Sequence, residues 1–399
     1  MRWTIVFGLG CSAAFACGGR SSLGLESGVS ERDGAGRGTF GVPMQVGTGG
    51  AGGRQSGAVT AAGRRGVAGG DTTAVAGGRA GQAGGGGLGG AAQGGSNGAV
   101  RSLPGSPWDV MSYDGALQNS PARYDSVWAD GPDRVWFTAS DGYYPSATRL
   151  LHWEAGVIST EVSECESVGS NVHGVAADDL WLAGCGGALL HRAASTWSTS
   201  ARQATRRVWE NSATDVWSCC EAGSENGAAS AMHFDGSSWS AVQMPMRYTG
   251  GAIWSSGPQD LWIADTDVLH WNGATWTMLH SPACNNWSDV WGDGTNVWAV
   301  GPLGTLARWN GSDFETIPTA SVYPEGAQLS GIWSRTPADV WFVGRAGAIL
   351  HWDGKRLARE SVALVDPNAS FAAVWGAGDA LWVVGGETTL MRRKLEPLP

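Results

Sequence analysis

Apolar residues occur in short consecutive runs along most of the chain, and these runs contain tryptophan at regular intervals. The clearest copy reads Gly331-Ile332-Trp333, then Ala338-Asp339-Val340-Trp341-Phe342-Val343-Gly344, then Ile349-Leu350-His351-Trp352-Asp353-Gly354. Residues 340–343 are all apolar, whereas a strand with one wet face would alternate apolar and polar side chains. The pattern therefore predicts β-sheets that are covered on both faces.

The second tryptophan of this unit recurs seven times, at intervals of 45, 36, 45, 36, 43 and 41 residues. The mean, near 41, is the length of a four-stranded propeller blade. Stacking blades in a ring covers both faces of every sheet. The sequence therefore predicts an all-β fold, a single seven-bladed β-propeller over residues 105–399. The recurring residues are Trp136, Trp181, Trp217, Trp262, Trp298, Trp341 and Trp382.

Each copy divides into four short strands, A to D. Strand A carries the first tryptophan, strand B the Asp-Val-Trp step, and strand C the Leu-His-Trp step. Strand D follows a two-residue turn of the Asp-Gly or Asn-Gly type, which suits a type I′ hairpin. An aspartate precedes strand B in four copies, and we expect it to cap the A–B turn. These aspartates are Asp179, Asp215, Asp260 and Asp339.

The seventh copy ends before a strand D can form, while an unattached strand-like segment, Ser106–Met111, precedes the first copy. We expect this N-terminal segment to pair with strand C of the last blade and close the ring. Such pairing would remove two exposed sheet edges.

The N-terminal quarter differs in composition. Residues 1–17 resemble an export signal, with Met1-Arg2, an apolar run to Phe15 and a small-x-small cleavage site before Cys17. A cysteine at that place resembles a bacterial lipoprotein signal and implies lipidation of Cys17, although Ala14 stands where that family prefers leucine. Ordinary secretion with cleavage at the same bond is the alternative, and Cys11 is a weaker lipidation candidate.

About a third of residues 18–104 are glycine, and large apolar side chains are almost absent. Such a segment cannot bury enough apolar surface to offset the entropy of ordering. We expect a disordered Gly/Ala-rich linker between the signal and the propeller. The signal and linker together predict an exported protein, either an outer-membrane lipoprotein at the cell surface or a periplasmic or secreted protein.

The excess of acidic residues excludes some classes of function. The whole chain has 26 Lys and Arg against 36 Asp and Glu, and the excess of acids lies in the propeller region. Nucleic-acid binding needs clustered Lys and Arg, so we expect no nucleic-acid partner. Membrane contact is expected only through a possible N-terminal lipid.

The repeat, with its Asp-Val-Trp and Leu-His-Trp-Asp-Gly steps, resembles a group of Trp-rich propeller repeats in exported proteins of myxobacteria and related bacteria. It is also distantly similar to BNR (Asp-box) propellers and to photosystem II assembly-factor-like propellers. The resemblance covers about residues 106–394. It implies the fold, but it implies no activity.

Five of the seven histidines fall at one position of the repeat, in strand C. A ring of histidines could suggest a metal, but residues on separate blades are too far apart to share an ion with bonds near 2.1 Å. We expect these side chains to pack and hydrogen-bond, and we expect no metal and no cofactor. They are His152, His191, His233, His270 and His351, with Arg308 and Arg392 in the remaining copies.

Exported proteins meet oxidising conditions. Cys165 lies in a D–A connection and Cys185 at a B–C connection, and in a propeller these two sets of connections share one face. We expect a Cys165–Cys185 disulfide. We also expect Cys284 to pair with Cys219 or with Cys220.

Two long B–C connections on the same face offer exposed aromatic and acidic residues, where binding usually resides, although simple loop variation is the alternative. Their candidate ligand-binding residues are Asp141, Tyr143, Tyr144, Glu221, Glu225 and Asn226. Glycoside cleavage needs a carboxylate pair, or an arginine cluster with a tyrosine nucleophile, and no such constellation stands out. We expect a non-enzymatic, monomeric scaffold that binds a protein or glycan at the cell envelope. A glycan-active, sialidase-like propeller is the alternative.

Overall fold

Every tryptophan step of the repeat forms a strand, and the strands assemble into seven four-stranded antiparallel blades. The computed structural model describes residues 93–103, 105–113, 123–140, 147–166, 171–201, 205–220, 230–246, 251–279, 286–293, 296–362, 369–386 and 389–397. The seven-bladed propeller predicted from the sequence is confirmed.

The strands are numbered in chain order, and the first two, β1 (Gln93–Ser102) and β2 (Trp108–Tyr113), precede blade 1. Blade 1 consists of β3 (Arg123–Gly131), β4 (Arg134–Ser140), β5 (Ala147–Glu154) and β6 (Val157–Glu166). Blade 2 consists of β7 (Asn171–Ala176), β8 (Asp179–Cys185), β9 (Ala188–Ala193) and β10 (Thr196–Ala201). Blade 3 consists of β11 (Arg207–Ser212), β12 (Asp215–Cys219), β13 (Ser230–Phe234) and β14 (Trp239–Gln243).

Blade 4 consists of β15 (Ala252–Gly257), β16 (Asp260–Ala264), β17 (Val268–Trp271) and β18 (Trp276–Leu279). Blade 5 consists of β19 (Asp289–Gly292), β20 (Val297–Val300), β21 (Leu306–Trp309) and β22 (Phe314–Thr316), with a 3-10 turn at Pro302–Gly304. Blade 6 consists of β23 (Leu329–Thr336), β24 (Asp339–Gly344), β25 (Ile349–Trp352) and β26 (Leu357–Arg359). Blade 7 consists of β27 (Phe371–Ala377), β28 (Ala380–Gly385) and β29 (Thr389–Lys394), and β2 is its fourth strand.

The register is the same in every blade. In blade 6, Trp333 of strand A lies opposite Trp341 of strand B, and Trp341 lies opposite His351 of strand C. In blade 2, His173 takes the place of the strand-A tryptophan, opposite Trp181. Strand A is innermost in each blade, and the seven A strands contact one another around a central channel.

Buried strand-B tryptophans join each blade to the next. Each packs on the His or Arg of its own strand C; the ring centroids of Trp341 and His351, for example, are 4.1 Å apart. At six of the seven junctions between neighbouring blades, the tryptophan ring also contacts strand C of the next blade. The residue contacted there is the one that follows the His or Arg position. These next-blade contacts are Trp136–Arg192, Trp181–Phe234, Trp262–Trp309, Trp298–Trp352, Trp341–Arg393 and Trp382–Trp153. The last of them joins blade 7 to blade 1, so the same packing also crosses the junction where the ring closes.

The ring closes through β2. Trp108 pairs with Arg393 and Met111 with Leu390 of β29, which is the pairing expected for the N-terminal segment. The Trp108 side chain is fully buried. It occupies the place that Trp197 or Trp276 holds at the start of strand D in other blades, so the register is kept across the chain's two ends.

One strand lies in the range assigned to the linker. β1 pairs with β2 on one side and with β6 of blade 1 on the other, so the described structure begins before the expected boundary at residue 104. Its Gly-rich composition made a strand unexpected. Here both edges of β1 find backbone partners, and backbone hydrogen bonds do not depend on side-chain size.

Candidate functional site

A cavity of about 100 Å³ lies at the end of the central channel where the A strands begin. The D–A connections enter the A strands at this end, and the B strands finish there; Arg207 at the start of β11 pairs with Cys219 at the end of β12. This is the face on which the sequence places the long B–C connections and the cysteines. We call the cavity the cup.

Four aromatic rings meet across the channel and form the floor of the cup. The centroid of Trp291 lies 5.2 Å from those of Trp209 and Trp375, and His173 lies 4.1 Å from Trp209. Other strand-A tryptophans turn away from the channel. Trp333, for example, covers Gly376 of the next blade, where a Cβ would clash with its ring. The cup is thus closed below by indole and imidazole rings.

The wall of the cup is formed by one position of the repeat, two residues before the strand-A tryptophan or His173. Around the ring this channel position is polar in blades 1, 2, 3 and 5 and small in blades 4, 6 and 7. Its occupants in blade order are Ser126, Asn171, Arg207, Ala252, Asp289, Gly331 and Ala373. Because the tryptophan positions stay nearly constant while this one varies, the cup is asymmetric within a near-symmetric ring.

Most polar residues at the channel position serve the scaffold. The Ser126 hydroxyl accepts a hydrogen bond from the Val172 backbone N–H at 3.2 Å. Asn171 accepts from Val208 N–H at 2.9 Å, and Asp289 accepts from Ile332 N–H at 2.8 Å. In each case the side chain satisfies an N–H of the next blade's innermost strand, which has no further strand to pair with.

Arg207 differs from these three residues. Its Nε donates to the Gly251 carbonyl at 2.8 Å. Across the residues that the structure describes, neither terminal nitrogen of its guanidinium has a hydrogen-bond partner, and the side chain lines the cup. Burial lowers the pKa of Arg207, but a guanidinium stays charged in proteins. The cup therefore holds a cation whose two outer nitrogens are available.

Two carboxyl groups stand in the same cavity, and both are held by the protein. Asp125 accepts from Arg123 Nε and from the Ser140 hydroxyl, each at 2.6 Å. Asp289 accepts from two backbone N–H groups, its second donor being Val290 at 2.9 Å. Burial raises the pKa of Asp289 to about 7, against the opposing effects of these bonds and of Arg207. Asp289 is consequently only partly ionised at neutral pH.

His173 on the floor is locked in a neutral form. Its Nδ1 accepts from the Glu210 backbone N–H at 3.0 Å, and burial lowers its pKa to about 3. Nε2 must then carry the proton, and it faces a hydrophobic surround without a hydrogen-bond partner. This imidazole is packed as an aromatic ring.

The loop residues singled out from the sequence, Asp141, Tyr143, Tyr144, Glu221, Glu225 and Asn226, lie outside the described residues. Cys17, the lipidation candidate, lies outside them as well. The sequence did not single out Arg207 or Asp289. Aligning the strand-A tryptophans would have shown that one position varies, but which way that position faces depends on the assembled ring.

The cysteine predictions have a mixed outcome. Cys165 of β6 and Cys185 of β8 form a disulfide between blades 1 and 2, with Cα atoms 4.5 Å apart. Cys219 is joined to its neighbour Cys220. The expectation that Cys284 pairs with either of these two was therefore wrong; adjacent cysteines can meet here because Cys220 adopts a left-handed backbone conformation, with φ of 71°. Cys284 itself lies outside the described residues.

The repeated histidines bind the repeated aspartates. His Nε2 lies 2.6–2.8 Å from an Asp oxygen in blades 2, 3, 4 and 6. Each carboxylate points across strand B toward strand C, a role that the turn expectation did not include. In blades 3, 4 and 6 its other oxygen also accepts a hydrogen bond across the A–B turn, from Asn211, Ser256 or Arg335. The pairs are Asp179–His191, Asp215–His233, Asp260–His270 and Asp339–His351. In the described part of the chain, no group of three His, Cys, Asp or Glu residues could hold a metal ion.

We expect Asp339→Asn to lower the free energy of unfolding at pH 7 by about 1.5–2 kcal/mol, the scale of a hydrogen bond to a charged group. Burial raises the pKa of Asp339, but bonds from His351, Trp341 and Arg335 outweigh it and the pKa is lowered. The stabilisation is therefore present above the unfolded pKa, near 4, and is lost as pH falls below it. Denaturant unfolding at pH 7 and pH 3 measures this. The loss should shrink at pH 3, and an equal loss at both would contradict the ionised pair.

No helix in the described parts of the chain has the length and apolar character needed to cross a membrane.

No protein-family model matches the chain, and no curated protein matches it in sequence. Solved propellers match it in shape. The structure of YCF48 bound to D1 peptide is 15% identical, with 75% of this chain and 100% of that chain covered and a TM-score of 0.54. Catalytically inactive virginiamycin B lyase from Staphylococcus aureus, crystallised with quinupristin, is 13% identical over 72% of this chain and 100% of that one, with a TM-score of 0.55.

The WD40 β-propeller domain of Doa1 is 11% identical over 69% of this chain and 94% of that domain, with a TM-score of 0.51. Identities this low show the propeller fold alone. The neighbours include both binding propellers and a lyase, so the fold does not choose between those roles. Membership of the Trp-rich repeat group proposed from the sequence stays a prediction.

Proposed function

We propose that this protein is a non-catalytic, exported binding protein whose cup receives part of a protein partner. The observation that carries the proposal is the asymmetry of the channel position. A ring built only for stability would gain nothing from placing an arginine with two available nitrogens in a narrow cavity, because removing a charge from water is costly unless it is paired.

The titratable groups of the cup already make hydrogen bonds within the protein or are buried in a neutral form, and this supports binding rather than catalysis. General acid–base chemistry needs a group within hydrogen-bond reach of the reacting atom and able to exchange a proton. Asp125 and Asp289 already accept two hydrogen bonds each from the scaffold. His173 is neutral and enclosed by indole rings. A sialidase-like site would need an arginine cluster, whereas Arg207 is the one arginine among the described residues that line the cup.

The size of the cup suits a ligand that inserts one small group. The cup, at about 100 Å³, is smaller than the cavity of about 150 Å³ that encloses benzene, and it opens to solvent, so it holds only part of a larger ligand. A single amino-acid side chain or a chain end fits this volume. The structure of YCF48 with a peptide is an example of a similar fold that takes a peptide ligand.

A test of this function compares peptide and glycan ligands in one preparation. A soluble form without the export signal and Cys17, residues 18–399, is panned against a random peptide library and incubated with a glycan array. A variant that fills the cup, Ala252→Leu, is run in parallel with Ala274→Leu, the same substitution at an exposed site in the C–D turn of the same blade. We expect peptides that the cup-filled variant alone fails to retain. Glycan binding without peptide binding, or glycan hydrolysis, would overturn the proposal.

The location of the protein in the cell is part of the same proposal. We propose that the export signal and Gly-rich segment hold the propeller at the cell envelope, with Cys17 as the lipidated residue. One acyl chain binds membranes only marginally, so stable anchoring requires more than one. Labelling of growing cells with a radioactive fatty acid tests this. Label that persists in a Cys17→Ser variant would remove Cys17 from the proposal.

A further inference from the structure

The geometry of Arg207 restricts which chemical group the cup accepts. A guanidinium presents its donors in a planar fork, and that fork matches the two oxygens of a carboxylate. Because Nε is already engaged by Gly251, the orientation of the plane is set. The two terminal nitrogens remain as a pair of unengaged donors on a side chain that lines the cavity.

The surrounding charges favour an anion at this point. Asp125 is neutralised by its ion pair with Arg123, whose Nε lies 2.6 Å from the carboxylate. Asp289 has both oxygens occupied by backbone N–H groups of its own blade and of blade 6. Ala252, Gly331 and Ala373 leave the rest of the wall free of charge. Arg207 is the one cation among the described residues that line the cup, and the two nearby carboxyl groups already have hydrogen-bond donors of their own.

We propose that the cup binds a carboxylate group through both terminal nitrogens of Arg207, an inference that rests on the proposed function and specifies its ligand as acidic. The carboxylate can come from an Asp or Glu side chain of the partner or from its C-terminus. Either source places two oxygens on the fork, and the aromatic floor packs against the adjoining methylene.

The test uses four capped tripeptides of defined chemistry: acetyl-Gly-Asp-Gly-amide, acetyl-Gly-Glu-Gly-amide, acetyl-Gly-Asn-Gly-amide and acetyl-triglycine with a free C-terminus. Binding to residues 18–399 is followed by NMR titration, read from the indole N–H signals of the floor tryptophans. We expect saturable binding of the carboxylate peptides and at least about tenfold weaker binding of the asparagine peptide, because a neutral amide forfeits the charge-assisted bonds. Comparison of the Asp, Glu and free-C-terminus peptides shows whether the carboxylate comes from a side chain or from a chain end.

Three variants connect the binding to Arg207. Arg207→Gln should weaken the best peptide at least about 30-fold, the usual effect of removing one partner of an enclosed charge pair. Arg207→Lys should weaken it less but still measurably, because an ammonium keeps the charge and lacks the fork. Arg206→Gln removes the same charge from a neighbour that does not line the cup, and it should change binding by less than about threefold. Unchanged unfolding midpoints confirm that the variants are folded.

Binding should also weaken as pH rises. Asp289 gains negative charge above pH 7, and it faces Arg207 and the backbone N–H groups of Val290 and Ile332. We expect several-fold tighter carboxylate binding at pH 6 than at pH 8, and the difference should disappear in Asp289→Asn. This readout is independent of how many contacts the rest of the peptide makes.

The outcomes separate this inference from the function on which it rests. Library peptides that occupy the cup without an acidic residue, or equal binding by Arg207→Gln, would overturn the carboxylate assignment and leave the binding role intact. Capped acidic peptides that bind through Arg207, with no library peptide retained, would support the assignment and contradict a protein partner. Inorganic phosphate that competes as strongly as the aspartate peptide would also overturn it.

Discussion

Replacing Trp108 with alanine should lower the free energy of unfolding by about 3–5 kcal/mol, the range for removing a fully buried tryptophan. Trp108 is 0% exposed and packs with Trp341, Leu381 and Val383 in the core between blades 6 and 7. It also holds β2 against β29, so the loss acts on the closure of the ring. Guanidinium unfolding followed by circular dichroism measures the effect.

Trp276→Ala is the matched control, because it removes the same side chain from the same repeat position in blade 4. Trp276 is only half-buried, and it contacts Trp271 of its own blade. We expect the control to cost less than half as much as Trp108→Ala. Equal losses would mean that β2 contributes no more than an ordinary outer strand and would count against closure by the N-terminal segment.

Glu210→Gln should stabilise the protein at high pH by about 2–4 kcal/mol, because it removes a carboxyl group whose charge the fold buries beside Asp179 without a well-formed hydrogen bond. Glu210 is 2% exposed, and neither of its oxygens makes a hydrogen bond of good geometry, although the Trp181 indole, the Val175 backbone and the Asp179 carboxyl lie close to it. It occupies the position after the strand-A tryptophan, where the other blades have Ala, Gly or Ser. Burial, followed by the charge of nearby Asp179, raises the pKa of Glu210 to about 8.

The sign of the pH dependence follows from proton binding. Between about pH 4.5 and 8 the folded protein keeps the Glu210 proton and the unfolded chain has lost it, so stability falls as pH rises through that window. The difference between Glu210→Gln and the parent should be near zero at pH 4.5 and grow to its full size above pH 8. Glu396→Gln, at an exposed position, should show no such growth. A constant difference across this range would contradict a raised pKa at Glu210.

The architecture was predictable because the repeat has a physical cause. A strand such as β24, apolar on both faces, has to be covered from two sides, and a ring of blades does this for every copy at once. Trp136 and Trp382 therefore recur at the same register although they lie almost 250 residues apart. The place of β2 followed from the missing fourth strand of blade 7.

The Asp–His pairs were missed for a reason that the sequence could have revealed. Blades 2, 3, 4 and 6 have both residues, whereas blades 5 and 7 lack the aspartate and have Arg308 and Arg392 where the histidine would stand; blade 1 keeps His152 without the aspartate. The joint change in six of the seven blades indicates contact. The turn interpretation considered only the local sequence around each aspartate, and the pairing partner lies a strand away.

The cup was beyond prediction from a single sequence. Ser126, Asn171, Arg207 and Asp289 are unlike one another, so no motif joins them, and they meet only because seven A strands share one axis. The same holds for β1, whose pairing depends on the backbone edges offered by β2 and β6. Sequence patterns identify the strands, while sites built by the ring closure require the structure.

Hydrogen exchange of the segment 106–113 tests the closed ring most directly, because backbone amides paired with β29 exchange slowly only when that strand pair is formed. The chain is placed in deuterated buffer, digested and analysed by mass spectrometry, with the segment 339–344 of blade 6 as the internal reference for a central strand. We expect both segments to remain protected over the same hours. Exchange of 106–113 within seconds, while 339–344 stays protected, would contradict a ring closed by the N-terminal strand.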